Sequence, residues 1–217
     1  MALIDTLRIR PPKAPNLPIA PAMYFQQHED KYSNILRLYF NAIDNMAEAL
    51  LGAVGGASIR TPYGAFQDTV SHTVVANTAN VMTFNTTDLA NSVSIVGGSK
   101  LTVVYAGIYN LQFSTQFQNV DTAPQDVSVW LKVNGVDVPG STGILGFPAR
   151  KSAGDPYHDI KGWNFFLALN AADYVEIYWS TTNANVTIQA YPLGTGPTRP
   201  STASNVVTLT FVSALPA

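Results

Sequence analysis

The sequence predicts a mainly β protein, a closed barrel or two-sheet sandwich preceded by an extended arm and one α-helix. Three observations carry that expectation. Period-two alternation of apolar and polar residues runs from about residue 60 to the C-terminus, broken at short intervals by Gly, Pro and Asn turns. One long segment, 28–51, has no Gly or Pro and spaces its apolar residues for a helix. Charged residues make up only 12% of the 217, about half of the roughly 25% usual for soluble proteins. Asn, Thr, Ser and Gln therefore cover the surface, and a hydrophobic share of 47% supplies one core.

Residues 1–27 read as an arm, because Pro11, Pro12, Pro15, Pro18 and Pro21 recur about every three residues. Proline fixes φ and lacks an amide donor, so the stretch favours polyproline II and cannot build a core alone. Ile9, Leu17, Ile19, Met23, Tyr24 and Phe25 are too apolar for a solvated linker. The expectation is an anchor lying on another protein, with Ile9, Pro11, Pro12, Leu17, Ile19, Tyr24 and Phe25 making the contact. A disordered tail is the alternative.

In segment 28–51, Tyr32, Leu36, Tyr39, Ile43, Met46 and Leu50 follow a 4-3-4-3-4 spacing. That is a heptad seam, with d at Tyr32, Tyr39 and Met46 and a at Leu36, Ile43 and Leu50. Ile35, Ala42 and Ala49 widen it at g, which suits three or more helices better than two. The competing reading is an amphipathic helix packed on its own domain. Gly52, Gly55 and Gly56 mark 52–59 as a hinge, and 60–217 forms the β domain.

Within that domain the expected strands are 65–68, 81–85, 93–95, 101–105, 108–117, 127–133, 163–169, 174–180, 186–190 and 206–212. Tyr109, Leu111, Phe113 and Phe117 face one way and Asn110, Gln112, Ser114 and Gln116 the other. Three later strands break this division of labour. Trp130, Phe166, Tyr174 and Tyr178 lie opposite well-formed apolar faces, so both sides of their strands need cover. A neighbouring subunit would supply it, which places these four at a subunit interface beside the helical seam.

Several chemistries are disfavoured. The net charge is −2 and Arg150-Lys151 is the longest basic run, so no stripe exists to neutralise phosphates and nucleic acid is not expected. No apolar window spans a bilayer, and Met1-Ala2-Leu3-Ile4-Asp5 does not begin a secretory signal, so membrane insertion is not expected either. Zero cysteines exclude disulfides and thiolate sites. Asp155, His158 and Asp159 sit in a Gly/Pro loop without a second ligand cluster, and no metal or other cofactor is expected. His72 or His158 could join a Ser-His-Asp set, but no G-x-S-x-G is present, and Glu176 has no carboxylate partner at a readable spacing. An enzyme is not expected. The segment 140–162 reads as a long loop and the best binding candidate, through Phe147, Arg150, Lys151, Tyr157 and His158, with a host-surface glycan as conceivable ligand. A structural strap reads the same residues equally well.

Gly107-Ile108-Tyr109-Asn110-Leu111-Gln112-Phe113 matches the G-x-Y-x-x-x-F strand, and 167–177 the L-x-L-x-x-G-D-x-V-x-L hairpin, of the C1q/TNF-like jelly roll. The domain resembles that family over about 60–214, with Ala172 in place of the family glycine before Asp173. Leu17-Pro18 through Tyr24, then 36–41 and Asp44-Asn45, resembles the leader of short virion fibre and decoration proteins of tailed phages, marine and cyanobacterial ones among them. Together the resemblances imply a homotrimer with an anchoring arm, a coiled-coil neck and a jelly-roll knob on the capsid or tail of a virion. A bacterial or secreted C1q-like adhesion module is the alternative, and a glycan-cleaving tailspike the third.

Overall fold

The computed structural model describes residues 12–19, 21–51 and 61–216. Ile9, Pro11 and the expected hinge at 52–59 lie outside the described residues. The chain divides into two units, the second beginning at Thr61.

The first unit carries α1 (Gln26–Leu51), which starts two residues before the expected segment. The Phe25 carbonyl accepts the amides of His28 at 2.9 Å and Glu29 at 3.3 Å, closing the first turn, and Glu29 suits the positive end of the helix dipole. Its 26 residues give a rod of about 39 Å. Tyr32, Ile35, Leu36, Tyr39, Ile43 and Met46 are half-buried, whereas Leu50, Leu38 and Phe40 are exposed. The shielded set thus follows the heptad seam for most of its length. In the arm, Leu17, Ile19, Tyr24 and Phe25 are exposed and Pro12 is half-buried.

The second unit is a β-sandwich. Its strands are β1 (Tyr63–Asp68), β2 (Asn80–Val81), β3 (Thr86–Asn91), β4 (Val93–Val96), β5 (Lys100–Val103), β6 (Gly107–Asn119), β7 (Gln125–Val133) and β8 (Val136–Asp137). They continue with β9 (Gly143–Phe147), β10 (Tyr157–Leu169), β11 (Tyr174–Thr181), β12 (Val186–Ile188), β13 (Gly194–Thr195), β14 (Thr198–Arg199) and β15 (Asn205–Ser213). One sheet runs β10-β6-β15-β1-β3, with β12 also on β6. The other runs β4-β5-β11-β7-β8, with β2 on β11 and β9 on β7, and β13 and β14 form a separate hairpin. From β5 onward the chain crosses repeatedly between the two sheets, in antiparallel pairings throughout, which makes the sandwich a jelly roll.

Each sheet turns its apolar side inward, and the core fills the space between them. Tyr109, Leu111 and Phe117 of β6 and Val207 and Leu209 of β15 meet Leu131, Val175, Ile177 and Trp179 of the opposing sheet. Phe117 and Trp179 pack edge to face at 5.7 Å, joining the sheets directly. The G-x-Y-x-x-x-F signature has a steric cause. A Cβ on Gly107 would stand 2.3 Å from the Phe211 ring, while Tyr109 is buried against that ring and donates its hydroxyl to the Tyr105 carbonyl at 2.8 Å.

Four expectations about the strands change. The expected strand 81–85 reduces to the two-residue β2, although Met82 and Phe84 remain in the core, held by single bonds to Ile177 and Gly98 carbonyls. β3 was hidden because its sequence, TTDLAN, is mostly exposed and shows no apolar alternation. The segment 140–162 is about half strand: β9 and the first six residues of β10 lie in it, leaving 140–142 and 148–156 outside the strands. In β9 the alternation is masked by Gly143 and Gly146, and Gly143 is required because a Cβ there would fall 1.9 Å from the Trp163 ring. β13 and β14 arise in a stretch rich in Gly and Pro that carries no strand pattern.

At the β10–β11 turn, Ala172, which stands where the resembled hairpin motif has glycine, adopts φ of 68°. That left-handed conformation costs an L-residue with a Cβ roughly 1–2 kcal/mol. Asp173 compensates from the next position: its carboxylate accepts from Asn134 Nδ2 and from the Asn170 amide, both at 2.7 Å, and these bonds hold its pKa below the ordinary aspartate value. Ala172→Gly should therefore stabilise the domain by about 1 kcal/mol. Equilibrium denaturation checks this, and an unchanged or lowered midpoint would show that the turn is not strained.

Candidate functional site

The structure disperses the five residues expected to form one binding loop. Phe147 ends β9 and is 1% exposed, packed on Phe117 at 5.2 Å and on Tyr157 at 6.3 Å. It is a core residue, which corrects its assignment to a receptor surface. The inward parity of β9 put it there, and that parity was invisible while 140–162 read as loop. Tyr157 points the same way on β10 and donates its hydroxyl to Asp159 at 3.1 Å, a bond that raises the phenol's pKa. Arg150 and Lys151 enter the turn before β10, where the Arg150 amide bonds the Asp121 carbonyl and Lys151 Nζ lies 3.9 Å from Asp155. Only His158 reaches the outer face of its sheet in company with other polar groups.

That company comes from elsewhere in the chain. An open pocket of about 280 Å³ is lined by Gln116, His158, Tyr191, Arg199 and Thr202. β6 contributes Gln116, β10 contributes His158, and the segment between β12 and β15 contributes the rest. Reciprocal backbone bonds between Tyr191 and Thr202, at 3.1 and 2.8 Å, close that segment and fix Tyr191 beside Arg199. Burial raises the Tyr191 phenol's pKa. Its hydroxyl donates to Gln118 Oε1 at 2.7 Å, so at the 3.0 Å contact with His158 the imidazole Nδ1–H is the donor. His158 Nε2 is left for the pocket. Arg199 Nη1 reaches the Pro200 carbonyl at 3.5 Å and Thr202 Oγ1 at 3.3 Å, and among the described residues Arg199 forms no ion pair. Gln116, Tyr191, Arg199 and Thr202 are not legible in the sequence as site residues. The available signal was the length of the Pro/Gly-rich stretch 191–204, which holds both a Tyr and an Arg.

The four aromatics expected at a subunit interface lie on opposite sides of the sandwich. Phe166 is 64% exposed on the outer face of β10. Trp130, Tyr174 and Tyr178 are half-buried on the outer face of the other sheet. There Trp130 stacks on Tyr178 with centroids 5.9 Å apart, and its indole N–H donates to Asp137 at 2.9 Å. Lys132 Nζ sits 4.7 Å from the Tyr178 centroid and 3.4 Å from Asp137, and Lys100 Nζ sits 4.6 Å from the Tyr174 centroid. Lysine stems and mutual stacking thus cover the aromatics that the sequence left without cover. An open groove of about 660 Å³ beside them is lined in part by Trp130, Lys132, Ser128, Thr142 and Ser180.

The other acids and histidines that the sequence offered for catalysis or metal binding are engaged in structural bonds. Asp68 Oδ2 lies 2.9 Å from His72 Nε2 and accepts from Thr83 Oγ1 at 2.6 Å, while Thr83 Oγ1 lies 3.2 Å from that same nitrogen. A nucleophile–base–acid relay needs acid and nucleophile on different imidazole nitrogens. This closed triangle instead ties the turn after β1 to the core. Asp155, His158 and Asp159 do not converge: Asp155 turns to Lys151, Asp159 to Tyr157 and Lys161, and His158 to the opposite face. Glu176 is buried, takes a 2.6 Å bond from Ser99 Oγ and stands opposite Lys132 in the strand register. No helix among the described residues is long and apolar enough to cross a membrane.

Asp137 accepts the Trp130 indole N–H and pairs with Lys132. Asp137→Ala should therefore red-shift and quench Trp130 emission relative to a Trp130→Phe background. Because Asp137 is exposed, stability should fall by under about 1 kcal/mol. Unchanged emission would mean that stacking on Tyr178 fixes the indole by itself.

No protein-family model matches the chain, and no curated protein matches it in sequence. Among solved structures the chain is similar to the globular domain of the zebrafish complement 1qA protein, at 13% identity and a TM-score of 0.43, over 71% of this chain and 99% of that one.

Proposed function

We propose that the chain is a non-enzymatic attachment protein: a homotrimeric short fibre or decoration of a virion, with the arm as anchor, α1 as neck and the jelly roll as a binding head. One observation carries the self-assembly. The outer face formed by β10, β6 and β15 contains no Asp, Glu, Lys or Arg. Its centre is an amide and hydroxyl strip of Asn110, Gln112, Ser114, Thr208 and Thr210, flanked by Phe166, Val206, Val212 and Ile160. Side chains of this kind can hydrogen-bond to their own kind, and the face carries no charge to desolvate.

Geometry selects this face over the other. In a closed ring of three, the directions from one subunit to its two neighbours are about 60° apart, so two opposite faces of a sandwich cannot both be buried in it. The Phe166 face lacks internal cover, whereas Trp130, Tyr174 and Tyr178 already have it. The helical seam of Tyr32, Leu36, Tyr39, Ile43, Met46 and Leu50 supports the same stoichiometry. The virion assignment rests on the resemblance of the leader, and on an arm whose Leu17, Ile19, Tyr24 and Phe25 are exposed.

Light scattering on the full chain should give a trimer. Phe166→Asp with Thr208→Arg should weaken association at least tenfold, as should Leu36→Asp with Ile43→Asp, while Tyr174→Ser should not. A monomeric wild type, or a trimer indifferent to the first pair, overturns the assembly. The virion role has a separate test. Protein lacking residues 2–27 should remain a folded trimer yet fail to incorporate when added to particles made without it. Normal incorporation would place the attachment in the neck or head.

A further inference from the structure

We infer that the pocket formed by His158, Tyr191, Arg199, Gln116 and Thr202 binds the carboxylate-bearing unit of an acidic saccharide. This rests on the reading of the head as a binding module and gives that module a ligand class. The charge argues for an anion: no carboxylate lines the pocket, and Arg199 has no ion-pair partner among the described residues. An exposed arginine can stay single at little cost. This one is held in place, because its stem lies across Gly194, where a Cβ would meet Arg199 Cγ at 2.5 Å, and its Nη1 is directed by Thr202 and Pro200. A pre-positioned guanidinium with unspent donors offers the planar fork that pairs with a carboxylate through two bonds.

The size of the charge narrows the anion. A single guanidinium carries one permanent positive charge, which matches a carboxylate better than a phosphate of nearly two negative charges. His158 adds a second point of contact without a second fixed charge. Its Nδ1–H is committed to the Tyr191 oxygen at 3.0 Å, so Nε2 accepts from a ligand hydroxyl when neutral and donates to the anion when protonated. Gln116 and Thr202 add an amide and a hydroxyl, and Tyr191 a half-buried ring wall. Neutral polar groups around one cation suit a ligand that is mostly hydroxyls with one acid. At about 280 Å³ the pocket is just below the usual range for small-molecule sites, which fits one sugar ring with the rest of a chain outside. Gln118 and Tyr191 support the site from behind through their 2.7 Å bond, which sets the imidazole tautomer.

The test is calorimetric or NMR titration of the full chain with N-acetylneuraminic acid, glucuronic acid, glucose, acetate, inorganic phosphate and a short peptide with a free C-terminus, alongside binding of the same protein to a glycan array. An acidic sugar should bind at least tenfold more tightly than glucose, acetate, phosphate or the peptide. Arg199→Gln should abolish that preference and Arg199→Lys restore only part of it, with the oligomeric state unchanged in both. Equal binding of acetate or phosphate, or tighter binding of the peptide, overturns the saccharide assignment. Array binding that is indifferent to Arg199→Gln and to His158→Ala overturns the pocket and leaves the head a glycan binder through another surface. Absence of binding to every sugar and every array glycan overturns both.

Discussion

The head depends on the register of β6. This 13-residue strand pairs along its whole length with β10 on one edge, and with β15 followed by β12 on the other. Its inward side is nearly continuous core, from Tyr109 and Leu111 to Phe117, ending at the buried Asn119. Side chains alternate with a period of two, so a slip of one residue would expel that entire row into water. The register is therefore set by burial, and everything on the outer face inherits it. Opposite Gln118 stands His158, and eight residues along β10, about 26 Å away at 3.3 Å per residue, Phe166 stands opposite Asn110. One sheet face thus has an apolar and amide end at Phe166 and an imidazole end at His158, where Arg199 of β14 joins the pocket, separated by strand length alone.

The two sheets solve the problem of outward aromatics differently. On the β11–β7 side, Lys100 and Lys132 spend their length covering Tyr174 and Tyr178, and their charges are balanced locally by Asp137 or left at the solvent edge. On the β10–β6–β15 side there is no charged residue to do this, and Phe166 and Ile160 stay open. A chain with so few charges has few long amphipathic side chains to spend. Where it places them the outward aromatics are covered within the chain, and where it omits them Phe166 stays 64% exposed.

Buried polar groups serve rigidity rather than reactivity. The Asp68–His72–Thr83 triangle, Glu176 with Ser99, and the amides gathered on Asp121 each satisfy a carboxylate inside or beside the core. Asp121 is held below the usual aspartate pKa, first by the Ala123 amide and also by the Asn185 and Gln125 side chains, which outweigh desolvation. Groups committed in this way act as staples. In a domain without cysteine they take over part of the work that disulfides do elsewhere.

Local pattern was legible in the sequence because it depends on neighbours along the chain. The heptad spacing of α1 and the alternation in β6, β7, β11 and β15 are short-range facts, and the residues state them directly. β9 and β3 were not legible, since glycines erased the alternation of one and exposure on both sides erased that of the other. The pocket lay further out of reach. Gln116, His158, Tyr191 and Arg199 span more than eighty positions, and none carries a motif. They meet only because core burial fixes β10 against β6 and the Tyr191–Thr202 bridge folds the following segment back over them. Phe147 shows the same limit in reverse: a residue type suited to a binding loop became core once strand parity turned it inward. Periodicity is written along the chain, but which strand becomes whose neighbour is decided by burial of the whole.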